Sequence, residues 1–398
     1  MHLSKKVFLL GSQYGIQALT PLVIFPIAAR VIGLEEFGIL SSVLSISTFG
    51  MLIIQYSFNQ EGIQWISREK KSERGIVSKI FKTKLILFFI VISFIFIFLN
   101  LFITKNFNTY LVCFSYLIWS LSDFSWYFQF KNKYLQILLI NIFSIITSFA
   151  IFGIFHFTDL IPASKSIFIL LFAPRLIASI LNFCFLNYLY SSLKPNKIDL
   201  SINLLLRQKL PLFMSQFISL GYTGSGAFLL ERFYSAEEAG LYTLLEKSVL
   251  LIALAAALPF QADLPSISES FNKNKTIYAK KIKKSLLSYL VLCFVGISSL
   301  LLISRFVFSY RFIFNTNIQL TSLFIFYVFF GIMGLIITNH LILKQKFRTI
   351  RKINSKILII SLSIGIPLIY KFGAIGWMLA LISSQTFVFL PLMRKTFK

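Results

Sequence analysis

Apolar residues fall in twelve blocks along the chain, separated by short polar stretches. The blocks lie at about 8–29, 39–60, 85–104, 109–130, 135–156, 166–188, 209–230, 239–260, 286–308, 319–343, 353–370 and 374–393. Each holds about 20 residues, enough for a helix to cross ~30 Å of hydrocarbon. The pattern predicts an all-α integral membrane protein with twelve transmembrane helices. The first block is too long for the apolar core of a removable signal peptide, and no small-residue cleavage site follows it.

The polar punctuation repeats. Arg30, Glu35, Glu36 and Gly38 stand at the same relative spacing as Arg232, Glu237, Glu238 and Gly240, 202 positions later. Phe58 matches Phe260, and Gln13, Gln17 and Thr20 fall opposite Ser215, Ser219 and Tyr222. Twelve blocks on that offset make six plus six. An even number per half gives both halves one orientation, so the expected architecture is two parallel six-helix lobes around a central cavity. The boundaries expected are 1–189 for the first lobe, 190–208 for a cytoplasmic linker and 209–398 for the second lobe.

Composition agrees with the pattern: 57% of residues are hydrophobic, 13% are charged, and the mean hydropathy is +0.80. A net charge of +25 invites a nucleic-acid reading. Its distribution argues for a membrane instead. Thirty of the 39 Lys and Arg lie at the two termini and in the stretches 61–84, 131–134, 194–209, 263–284 and 344–356. The alternate loops carry seven: Arg30, Lys105, Lys165, Arg232, Arg305, Arg311 and Lys371. That bias places both termini in the cytoplasm and the basic loops on anionic inner-leaflet lipid. Residues 64–84 mix bases with Ile66, Ile76, Val77, Ile80 and Phe81, a spacing that suits an amphipathic helix lying in the interface.

Polar groups inside the blocks are the candidate chemistry. Gln13, Gln17 and Thr20 share one helix face, and Ser215, Ser219 and Tyr222 repeat the stripe; such stripes line a wet cavity or join helices. Pro21 and Pro26 in the first block correspond to Gly221, Gly224 and Gly226 in the seventh, marking matched bending points. Intramembrane charges cost roughly 2.5–3.5 kcal/mol or more each, so they signal function or pairing. Lys247 lies deep in the eighth block. Glu246 precedes it, but adjacent helical positions diverge, so Lys247 needs another partner: Asp123, water or an anionic ligand. Arg175 follows Pro174 and is read as a cavity residue or half of an ion pair. Asp123 and Glu246 are ion-coupling carboxylates or fixed counter-ions. Cys113, Cys184 and Cys293 suit no disulfide frame, and His2, His156 and His340 form no metal cluster. No nucleophile–base constellation, phosphate loop or cofactor motif stands out, so an enzyme is not expected.

The stretch Ser235–Lys247, Ser-Ala-Glu-Glu-Ala-Gly-Leu-Tyr-Thr-Leu-Leu-Glu-Lys, followed by Leu258–Ser268, resembles the polysaccharide-transport family, the O-antigen (Wzx-type) flippases. Arg30–Gly38 and Leu204–Ser215 resemble it too. The resemblance implies the multidrug/oligosaccharidyl-lipid/polysaccharide exporter fold, with an undecaprenyl-diphosphate-linked oligosaccharide as cargo. It implies movement from the cytoplasmic to the periplasmic leaflet of a bacterial inner membrane by alternating access, in lipopolysaccharide biosynthesis. Polysaccharide polymerase and chain-length proteins are the protein partners it suggests. On this reading Lys247, Arg30, Arg232 and Arg175 attract the anionic cargo, although Leu44 and Ser45 stand opposite Glu246 and Lys247, which leaves the charge one-sided. A cation-coupled drug exporter of the same superfamily would need an acidic cavity. A polysaccharide polymerase or ligase would need a large outer loop. A scramblase or structural protein stays open.

Overall fold

The computed structural model describes residues 3–59, 73–102, 106–158, 162–191, 202–250, 275–306, 318–344 and 346–396, with Gly62, Ile66, Ile252, Ala253 and Ala256 between them. The family-like stretch 258–268 and the core of the proposed linker, 192–201, lie outside the described residues. Within them the elements are α1 (Leu3–Ile32), α2 (Leu34–Gln55), α3 (Glu73–Phe102), α4 (Phe107–Ser122), α5 (Ser125–Phe130), α6 (Tyr134–Phe157), α7 (Ala163–Ser191), α8 (Ile202–Thr223) and α9 (Gly226–Phe233). They continue with α10 (236–250), α11 (Lys275–Phe306), α12 (Ile318–Leu343) and α13 (Phe347–Thr396). No strand occurs among the described residues.

The expected all-α membrane fold stands, and among the described residues six helices are long and apolar enough to cross a membrane. Some blocks depart locally from one continuous helix each. Block four is broken into α4 and α5, and block seven into α8 and α9. Blocks eleven and twelve are two helices joined without a loop across a kink at Gly373, whose backbone is non-helical with φ +55°; the pair is labelled α13. Its apolar stretch of 45 residues is long enough for two crossings at about 20 residues each.

The break at Gly224–Ser225 meets the expected bending point in the second half. The first half differs: α1 continues through Pro21 and Pro26 without interruption. A proline deletes one backbone bond and bends a helix, but neighbouring turns can carry the helix past it.

The expected interfacial helix over 64–84 is corrected from Glu73 on; of residues 64–72 all but Ile66 lie outside the described residues. From Glu73 the chain runs as one helix, α3, through to Phe102. Ile76, Val77 and Ile80 are buried with Phe58, Ile66, Trp126, Tyr127 and Leu189. The apolar face that suggested a lipid-lying helix packs against protein. Farther along α3, Phe89, Ile90, Phe94 and Ile97 are exposed, an apolar face fit for lipid.

The chain divides into two compact units: Met1–Gln17 with Ile39–Phe217, and Ala18–Gly38 with Ile218–Lys398. Each therefore uses residues from both halves of the sequence. In the first unit α3 packs on α4, and α4 and α6 both pack on α7. Val43, Ile54, Phe88, Val91, Leu99, Cys113 and Leu117 form one of its cores. In the second unit α12 lies along α13, with α9 and α11 against that pair.

Candidate functional site

The second unit brings the two repeat signatures together. A side chain at Gly38 would fall on the carbonyl of Ala236, and one at Gly240 would approach Leu34 O at 2.7 Å. Ala236 and Leu34 are themselves equivalent under the 202-residue offset. The N-terminal turns of α2 and α10 thus cross symmetrically, backbone on backbone, and only glycine permits that approach. Upstream, Ser235 caps α10 by accepting the Glu238 N–H at 3.2 Å. In the first copy Gly33, at φ +87°, occupies the corresponding position. Glu238 also accepts from Ala374 N–H at 3.1 Å, holding the helical segment that restarts after Gly373. Glu35 and Glu36 sit in the first turn of α2, where the helix dipole favours acids. The repeated turn is therefore a structural joint.

Arg30 and Arg232 occupy the last turns of α1 and α9. Arg30 and Arg232 are both exposed, so each complements a helix C-terminus while its guanidinium can reach outward. Lys247 lies on α10 with Glu246, and here the sequence expectation fails. The Lys247 ammonium pairs with Glu246 itself, Nζ to Oε2 2.6 Å. Adjacent Cβ atoms diverge on a helix, but two long side chains can curl until their tips meet. The Lys247 side chain is 33% exposed and that of Glu246 22%, so the pair is half-buried. Elsewhere in the same unit Gln385 donates to Tyr327 Oη at 3.2 Å, and its own buried Oε1 has no hydrogen-bond partner. The sequence reading missed this phenol–amide pair, because Tyr and Gln carry no charge to flag them in an apolar block.

Arg175 belongs to the first unit. Its guanidinium stacks on the Tyr116 ring, 4.3 Å from the centroid. No carboxylate pairs with it among the described residues, so of the two readings the ion pair gives way to a cation–π contact.

Asp123 is not inside a helix but at the break between α4 and α5. Its Oδ1 accepts from Ser125 N–H at 3.0 Å, and its Oδ2 accepts from Asn59 Nδ2 at 3.1 Å and Gln55 Nε2 at 3.3 Å. A basic residue absent from the sequence expectation stands beside it. Lys84 is fully buried, and its Nζ donates to Asp123 O at 2.6 Å and Ser120 O at 3.0 Å. The same ammonium lies 4.8 Å from the centroid of Phe124. Lys84 ends a run of seven bases and begins an apolar block, so sequence counting assigned it to the loop.

The polar stripes divide between the units. Gln13 is buried with an unpartnered Oε1, while Gln17 and Ser215 are half-buried; all three belong to the first unit. Ser219, half-buried, donates to Tyr222 Oη at 3.3 Å, and Tyr222 is buried; both belong to the second. Helices α1 and α8 each pass from one unit to the other within their stripe. Of the four candidate cargo cations, the second unit holds Arg30, Arg232 and Lys247, and the first holds Arg175.

The fold is shared with known transporters. An inward-facing multidrug resistance MATE family transporter of the MOP superfamily is 11% identical, with a TM-score of 0.62 over all of this chain and 95% of that one. The MATE multidrug transporter DinF-BH is 13% identical, with a TM-score of 0.64 over 99% of this chain and 96% of that one. A MOP superfamily transporter from Pyrococcus furiosus, described as having a binding pocket of reverse polarity, is 11% identical, with a TM-score of 0.57 over 99% of this chain and 95% of that one. No protein with a curated description matches the chain in sequence. The evidence for kinship comes from the family level, where residues 3–271 match the polysaccharide biosynthesis protein family. With more than half of its length matched, on the fold of MOP superfamily transporters, the chain belongs to the polysaccharide biosynthesis protein family.

Proposed function

We propose that this protein is a flippase that moves an undecaprenyl-diphosphate-linked oligosaccharide from the cytoplasmic to the periplasmic leaflet by alternating access. The observation that carries the reading is the family match: a polysaccharide biosynthesis family on a transporter fold supports a lipid-linked sugar as cargo. The charges favour an anionic cargo. Lys247 is partly exposed, and its tie to Glu246 is a pair that a diphosphate can outcompete through charge-assisted bonds. Arg30 and Arg232 end helices in the same unit. Such a cargo implies a bacterial inner membrane and a step upstream of polysaccharide polymerase and chain-length proteins. Asp123 acts as a counter-ion and Glu246 as a coupling or counter-ion carboxylate; Gln13, Gln17, Ser215, Ser219 and Tyr222 line the route.

The test is deletion of the gene in its native bacterium, followed by leaflet-resolved analysis of lipid-linked sugars. The expected result is loss of surface polysaccharide, with the lipid-linked repeat unit accumulating on the cytoplasmic face. Unchanged exposure of that intermediate outside would overturn the proposal. Export of a cationic dye by the reconstituted protein, without movement of the lipid-linked sugar, would favour the drug-exporter alternative.

A further inference from the structure

A break in a membrane helix leaves carbonyls at one cut end and N–H groups at the other, in surroundings where water cannot satisfy them. The break between α4 and α5 shows both needs met by charged side chains. On one side, the Asp123 carboxylate accepts the Ser125 N–H. On the other, the Ser120 and Asp123 carbonyls, at the end of α4, converge on the Lys84 ammonium. The Phe124 ring faces the same ammonium, and the Asp123 carboxylate beside it is held by Ser125, Asn59 and Gln55. Carbonyls freed by unwinding are what membrane helices elsewhere use to hold a bound cation, and an aromatic face adds a cation–π contact.

We infer that Lys84 is a tethered cation: its ammonium fills a monovalent-cation site at the α4–α5 break, and a vacated site would take a free alkali or alkylammonium ion. The repeat supplies an internal control. At the 202-residue offset, Leu286 stands opposite Lys84 and Ile325 opposite Asp123. There α12 runs unbroken from Ile318 to Leu343. Break, cation and carboxylate occur together in one half and are absent together from the matching positions of the other. Lys84 is wholly buried, so it is not among the cations available to cargo. The inference therefore stands apart from the flippase proposal. It leaves Asp123 a fixed group, its carbonyl held by Lys84 and its carboxylate by Ser125, Asn59 and Gln55, rather than one that must gain and lose an ion.

The experiment uses the purified full-length protein and its Lys84→Ala variant. Thermal unfolding is followed in matched choline, sodium, potassium and n-propylammonium chloride. Propylammonium replaces the atoms that the substitution removes. In choline the variant should unfold about 5 °C or more below wild type. Propylammonium should recover at least half of that drop, sodium or potassium part of it, and wild type should respond alike to all four salts. A variant with no salt-specific recovery would overturn the inference. Should Lys84→Ala fail to fold in choline, its yield of folded protein in propylammonium against choline chloride decides. Folding recovered in propylammonium alone supports the tethered cation, and failure in both salts refutes it.

Discussion

Among the single residues, Lys247 gives the sharpest test of cargo binding. Its family-like context was legible in the sequence, but its partner was not. The rule that neighbouring helical positions diverge governs Cβ directions, and it does not bind the tips of two long side chains. The observed pair with Glu246 turns the question into a double mutant. If Lys247 serves cargo, Lys247→Gln should lower export by about tenfold or more, because a charge-assisted bond is worth about 1.5–3 kcal/mol. Lys247→Arg should retain most export. Glu246→Gln added to Lys247→Gln should restore nothing. Recovery in that double mutant, read as surface polysaccharide at equal membrane levels, would reduce Lys247 to a neutraliser of its neighbour. Lys84 illustrates the opposite limit of sequence reading. A lysine at the edge of an apolar block looks like loop charge, and only a helix break 39 residues away draws it inside.

At the scale of elements, apolar blocks located most of the helices, while interruptions within them stayed hidden. Asp123 shows why: a break needs a partner for each freed backbone group, and those partners, Lys84, Asn59 and Gln55, come from distant positions. Bases on an apolar-faced stretch suggested a surface helix at 64–84, because composition does not say whether the covering surface is lipid or Trp126 and Tyr127. The repeated Glu-Glu-x-Gly turn was legible as structural, and its geometry now ranks its members. Gly38→Ala should destabilise more than Gly240→Ala, since the Gly38 side chain would fall on a backbone oxygen whereas the Gly240 one would stop 2.7 Å away. Overpacking of this kind costs about 1–3 kcal/mol or more. Glu238→Ala should cost about 0.5–2 kcal/mol through the lost cap on Ala374, and Glu237→Ala at its exposed position close to nothing. Thermal unfolding of the four purified variants checks the order. Equal midpoints for Glu237→Ala and Glu238→Ala would remove the cap from the account.

For the whole molecule, the repeat and the charge bias are readable from sequence because both are one-dimensional patterns. The exchange of 18–38 into the second unit and of 209–217 into the first is not, because it depends on which helices touch. Orientation follows from charge alone and can be tested alone. Lys and Arg resist crossing a membrane during insertion, so short loops rich in them remain on the cytoplasmic side. Thirty of the 39 bases lie on one set of alternate segments. Moving Lys84 from the loop to the buried break leaves that asymmetry nearly untouched. Reporter fusions after Lys5, Lys71, Lys273 and Lys398 should therefore all read cytoplasmic, and one near Glu237 periplasmic. The fusion at Lys273 matters most. Between Glu237 and Lys273 the chain must cross once, through α10 and the apolar residues after it, for the two halves to be parallel. A periplasmic signal at Lys273 would make that crossing fail and invert everything after it. The six-plus-six arrangement would then be wrong, even though the helices themselves stand.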